Sequence, residues 1–106
     1  MSVAKINKAD FKKDVLDNEG VVFVDFYADW CAPCKITSPI IDQLAEELRN
    51  VKFLKVNVDE NPELATQFSI FSIPTFIIFN KGKPASQIVG ARGKESFVEE
   101  LKKITG

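Results

Sequence analysis

Hydrophobic and polar positions change period several times along the chain, and each change predicts an element. Val3 to Ile6 alternates over a short stretch, which suits a first strand at a sheet edge. Asn7 stands as an N-cap with Asp10 three residues on, and Phe11, Val15 and Leu16 recur at helical spacing until Asn18-Glu19-Gly20 stops them. Val21 to Tyr27 is a near-continuous apolar run, rich in β-branched and aromatic residues, as expected of a central strand buried on both faces. From Pro39 to Leu48 the period turns helical. Ile36, Ile40, Ile41, Leu44, Ala45 and Leu48 form the expected apolar stripe, Pro33 fits the first turn, and Pro39 should kink the helix because it removes a backbone donor.

The second half reads in the same way. Lys52 to Val58 alternates as a strand, and Asp59-Glu60-Asn61-Pro62 is a turn leading into a short helix through Leu64, Ala65 and Phe68 that ends near Ser69. Ile73-Pro74-Thr75 opens a strand over Phe76 to Phe79, Asn80 to Lys83 is a hairpin turn, and Gln87 to Val89 returns. Gly90 interrupts, and Lys94 to Ile104 is an amphipathic helix with Phe97, Val98, Leu101 and Ile104 inward. Crossover helices after the early strands imply parallel pairs, and the late hairpin adds an antiparallel edge. The expected architecture is α/β, a central mixed five-stranded sheet flanked by four helices, in a single domain over residues 1–106.

Composition mostly removes possibilities. At 106 residues, 45% hydrophobic, the chain can bury a core without staples, and nine phenylalanines make that core aromatic. A net charge of -1 gives no reason to expect nucleic acid or an anionic membrane as partner. No run is long enough to span a bilayer, and the first twenty residues lack the apolar segment of a secretory signal, so a reducing cytoplasm is expected. The absence of histidine excludes a Ser-His-Asp triad and a Cys-His pair within this chain. Two thiols supply half of a zinc site, so no metal and no cofactor is expected, a zinc shared between two chains staying open.

The chemistry concentrates in Trp30-Cys31-Ala32-Pro33-Cys34-Lys35, which holds both cysteines and the sole tryptophan where the apolar strand gives way to the long helix. Thiols at i and i+3 on a first helical turn are near enough to close a disulfide with little backbone movement. Unpaired N–H groups and the positive end of the helix dipole favour thiolate over thiol there. Cys31 is expected to be the more exposed and acidic, hence the nucleophile, and Cys34 the less accessible, resolving thiol. In a cytosolic chain such a pair is catalytic more often than structural. Asp25, in the middle of a buried strand, should have a raised pKa and could exchange a proton with Cys34.

These residues, with Val24-Asp25-Phe26-Tyr27-Ala28 before them and Lys55-Val56-Asn57-Val58-Asp59, Ile73-Pro74-Thr75-Phe76 and Val89-Gly90-Ala91 after, give the chain an end-to-end resemblance to the thioredoxin family. The resemblance implies a thioredoxin fold and a protein-disulfide reductase that cycles Cys31 and Cys34 between dithiol and disulfide, with no cofactor. It implies proton transfer by Asp25, tuning of Asp25 by Lys55, and a cis Pro74 packed on the cysteines that leaves the preceding backbone free for an incoming peptide. It also implies a flat apolar substrate rim of Trp30, Ala32, Pro33, Val58, Ile73, Pro74, Val89, Gly90 and Ala91. The implied partners are disulfide-containing proteins and a thioredoxin reductase, with the chain a monomer that binds neither nucleic acid nor membrane. Two departures stand out: Ala32 where the family usually has glycine, and Tyr27 where many members have a second tryptophan. Other readings are a thioredoxin-fold binding subunit with the redox pair unused, and an oxidase or isomerase of an oxidising compartment. Proline at the second inter-cysteine position and the missing signal argue against the latter.

Overall fold

The computed structural model describes residues 3–106; residues 1 and 2, where the expected domain begins, lie outside the described residues. The elements are β1 (Val3–Lys5), α1 (Lys8–Phe11), β2 (Val21–Tyr27), α2 (Ala32–Glu47), β3 (Val51–Asn57), α3 (Pro62–Gln67), β4 (Thr75–Asn80), β5 (Lys83–Val89) and α4 (Lys94–Thr105). The strands form one sheet in the order β1-β3-β2-β4-β5. β1 and β2 run parallel to β3, while β4 runs antiparallel to β2 and β5. This is the mixed five-stranded sheet with four helices read from the sequence, with β2 at its centre and β1 at an edge.

Alternation along β2 sorts the two cores. Val22, Val24 and Phe26 face a cluster with Phe11, Val15 and Leu64 from α1 and α3. Phe23 faces the other side, where Ile41 and Leu44 of α2 meet Phe97 and Leu101 of α4. Asp25 shares parity with Phe23 and therefore points to the α2 side. Rings knit both layers: Phe76 and Phe97 lie 4.8 Å apart, and Phe68 and Phe79 lie 5.5 Å apart. Such pairs add about 1 kcal/mol each to the area they bury.

Several local details differ from the sequence reading. α1 runs on over Lys12–Leu16 as a wider helical stretch, in which the Asp17 N–H donates to the Lys12 carbonyl at 2.8 Å. Asn7 occupies the N-cap but its side chain does not cap. The Lys8 N–H donates instead to Asn61 Oδ1 at 2.8 Å, so a side chain at the start of α3 caps α1. β5 begins at Lys83 and not at Gln87. Its early half is polar and contains Pro84, which an edge strand tolerates because one row of its backbone groups is unpaired. The ladder slips at Ile78/Phe79, beside that proline. Ile36, assigned to the buried stripe of α2, is 68% exposed, because the helix buries the face of Cys34, Thr37, Ile41, Leu44 and Ala45. Pro39 stands inside α2, where it cannot donate to the Lys35 carbonyl. The hairpin turns on Lys81 and Gly82, both at positive φ, which matches the twist of the flanking strands.

Candidate active site

The site is built where β2 ends. Tyr27 and Ala28 lead into a short turn, Cys31 takes an extended backbone as N-cap of α2, and Pro33 sits in the first turn. Cys31 and Cys34 are joined by a disulfide with their Cα atoms 5.3 Å apart. The Cys34 N–H donates to Cys31 Sγ at 3.2 Å. The sulfur thus takes the place of the oxygen that usually caps a helix, facing N–H groups left without intrahelical partners.

The expected difference in exposure is absent. Cys31 is 3% exposed and Cys34 5%, and both pack with Ala28 against Tyr27, Val58 and Ile73. Sulfur 31 packs into this small cluster, so position on the helix does not by itself expose it. What differs is what each cysteine faces. Cys31 lines a cleft of about 700 Å³ together with Trp30, Ala32, Pro33, Val58 and Ile73, and with Pro62, Ile70 and Phe71. Cys34 lines a separate cavity of about 140 Å³ with Asp25, Tyr27, Lys35 and Lys55.

Asp25 is 6% exposed, and its Oδ1 has no hydrogen-bond partner. Desolvation raises its pKa from 3.8 to about 7; Lys55 opposes the rise and Asp42 adds to it. An ionised carboxylate here would give up its water without gaining donors, so the proton is held until near neutrality, where both forms are populated. Lys55 is the β3 partner of Asp25 in register, on the same face, and its ammonium lies 5.7 Å from the centre of the Tyr27 ring. An aromatic face attracts a cation at that range, which holds Lys55 beside the carboxyl.

The expected rim divides. Trp30, Ala32, Pro33, Val58 and Ile73 line the Cys31 cleft; Pro74, Val89, Gly90 and Ala91 do not. The Ile73–Pro74 peptide bond is cis, but Pro74 is buried and its carbonyl accepts from the Gly90 N–H at 2.8 Å. Val89 is exposed and pairs with Thr75 at the far edge. Trp30, 70% exposed, is fixed by its indole N–H donating to Asp59 Oδ2 at 2.8 Å. Asp59 is presented by Asn57, whose buried Oδ1 accepts from the Asp59 and Glu60 N–H groups at 2.9 and 3.2 Å. Asp59, Ile70 and Phe71 were not singled out from the sequence. A polar Asn57 closing an apolar strand was the one available signal.

The thioredoxin family model matches residues 2–103. The chain is similar to a thioredoxin of Pyropia yezoensis, 41% identical over 104 residues that cover 97% of each chain. It is similar to thioredoxin 1 of a Nostoc species, 41% identical over 103 residues and 96% of each chain. The bifunctional thioredoxin reductase/thioredoxin of Mycobacterium leprae is 43% identical over 101 residues, which are 94% of this chain and 22% of that one.

Proposed function

The chain belongs to the thioredoxin family and is a protein thiol–disulfide oxidoreductase, and from that premise we propose that it works as a reductase with Cys31 as nucleophile and Cys34 as resolving thiol. In the reduced protein the Cys34 N–H and the start of α2 stabilise negative charge on sulfur 31. The Cys31 thiolate attacks one sulfur of a substrate disulfide. That S–S bond breaks, a mixed disulfide forms, and the second substrate sulfur leaves as a thiolate that takes a proton from water. Cys34 passes its proton to ionised Asp25 and attacks Cys31 Sγ. The mixed disulfide breaks, the second substrate thiolate departs, and the Cys31–Cys34 bond closes. Two electrons have moved from this chain to the substrate.

The observation that carries this reading is that Asp25 and Cys34 line one cavity while Cys31 opens into another. A volume of about 140 Å³ bordered by polar groups accommodates water to relay the proton. With a pKa of about 7, Asp25 can both accept and return it near neutrality. Ile73, packed on the disulfide just before the cis bond, offers backbone groups to an extended substrate.

The partners proposed are disulfide-containing proteins and a thioredoxin reductase; the joined name of the Mycobacterium leprae relative supports the latter. The working form proposed is one domain, as a monomer, in the reducing cytoplasm. Among the described residues no helix is long and apolar enough to cross a membrane. Reduction of insulin by dithiothreitol, followed by turbidity, tests the activity. The intact protein should shorten the lag and Cys31→Ser should not; equal lags with and without the protein would remove the reductase reading.

A further inference from the structure

Eight of the nine phenylalanines make ring contacts within the two cores. Phe71 is the ninth, and it is 92% exposed. Its backbone is held on both sides. α3 ends with Ser69 at φ 55; the Ser69 N–H donates to the Thr66 carbonyl at 3.2 Å and the Ile70 N–H reaches the Ala65 carbonyl at 2.8 Å. This paired closure normally uses glycine at the left-handed position. It turns Ile70 onto the α1/α3 core and leaves Phe71 outside. Beyond it, Thr75 Oγ1 donates to the Ser72 carbonyl at 2.6 Å. Phe71 therefore stands on a fixed stretch of chain lining the Cys31 cleft, which the anchored Trp30 also lines.

We propose that Phe71 determines substrate specificity: with Trp30 it takes up a bulky apolar side chain lying close in sequence to the substrate cysteine. The inference rests on Cys31 being the attacking thiol. For attack, the partner sulfur must enter the cleft, and the polypeptide beside that sulfur must lie over its walls. At about 700 Å³ the cleft has room for several side chains. None of its lining residues is charged, so a polar segment would lose water there without compensation and an apolar one would gain by burial.

Two synthetic peptide disulfides, identical except for Leu or Ser two residues from the cysteine, test this alongside the small polar bis(2-hydroxyethyl) disulfide. The pre-reduced protein should consume the Leu peptide about tenfold faster than the Ser peptide, the scale on which apolar pockets discriminate. Phe71→Ser should bring the ratio below about threefold and Phe71→Leu should keep most of it, each protein's peptide rates being referred to its own rate on the small disulfide. A wild type without preference, or a preference that survives Phe71→Ser, would overturn the inference. So would a dimer in sedimentation that dissolves on Phe71→Ser, since the face would then belong to a second copy. Failure of the wild type on the small disulfide, or its reduction by Cys31→Ser, would instead refute the role given to Cys31.

Discussion

Replacing Asp25 with alanine should remove most of the pH dependence of stability that the oxidised protein shows between mildly acidic and mildly alkaline conditions. Burial holds the Asp25 pKa at about 7, against 3.8 for the free carboxyl. Within that window the folded chain keeps a proton that the unfolded chain has released. Stability therefore falls as pH rises from the lower value to the upper, and the loss is complete above the upper one. The gap between the two values corresponds to about 4 kcal/mol, of which roughly 2.5 kcal/mol falls between pH 5 and pH 8. This is a large share of a stability of about 5–15 kcal/mol for a domain. Alanine also leaves a small void, at a cost of about 1 kcal/mol that does not depend on pH. The informative quantity is thus the difference between two pH values, in which the void cancels. Urea unfolding of both oxidised proteins at each pH, followed by far-UV circular dichroism, gives it. The variant should gain on the wild type by about 2.5 kcal/mol from the acid to the alkaline condition. Parallel losses in the two proteins would show that Asp25 is not held protonated by the fold.

Lys55→Met removes the charge that opposes the rise at Asp25, so the upper end of the stability decline should move to higher pH in the same titration; an unmoved end point would deny Lys55 that influence. Emission from Trp30, the sole tryptophan, should change when dithiothreitol opens the disulfide beside it, and identical spectra in the two states would separate the indole from the sulfurs. Gly82→Ala should cost more than about 2 kcal/mol in denaturant unfolding, because φ is 79° and a new Cβ would run into the Leu16 carbonyl. Gly90→Ala, at φ 92° with open space around it, should cost about 1 kcal/mol, and equal costs at the two glycines would argue against the close approach at Gly82.

The elements legible in the sequence were those in which packing and local pattern agree. β2 reads as a central strand because both of its faces are apolar, and α4 reads as a helix because Phe97 and Leu101 recur on its buried side. The early half of β5 was illegible because an edge strand needs neither alternation nor good strand formers. Ile36 was misplaced because a helical period names a stripe but not its width. Asn61 capping α1 joins residues 53 apart in the chain, a partnership that spacing does not encode. At the site, a carboxylate inside an apolar strand announced Asp25. Phe71 gave no such signal, since its outward turn depends on how Ser69 closes α3.

Sequence reasoning placed the asymmetry of the cysteine pair in exposure, and that is where the fold departs from it. Both residues are almost fully buried. Their surroundings nonetheless differ: uncharged, mostly apolar walls wide enough for polypeptide beside Cys31, and a narrow space shared with the carboxyls of Asp25 and Asp29 and the lysines Lys35 and Lys55 beside Cys34. An incoming disulfide fits only the first, and a proton has a partner only in the second. Division of labour between two buried sulfurs then follows from which cavity each one borders. The same burial of Asp25 that weakens the fold at alkaline pH keeps a proton available beside Cys34, so the stability lost and the acid–base capacity gained come from one desolvated carboxyl.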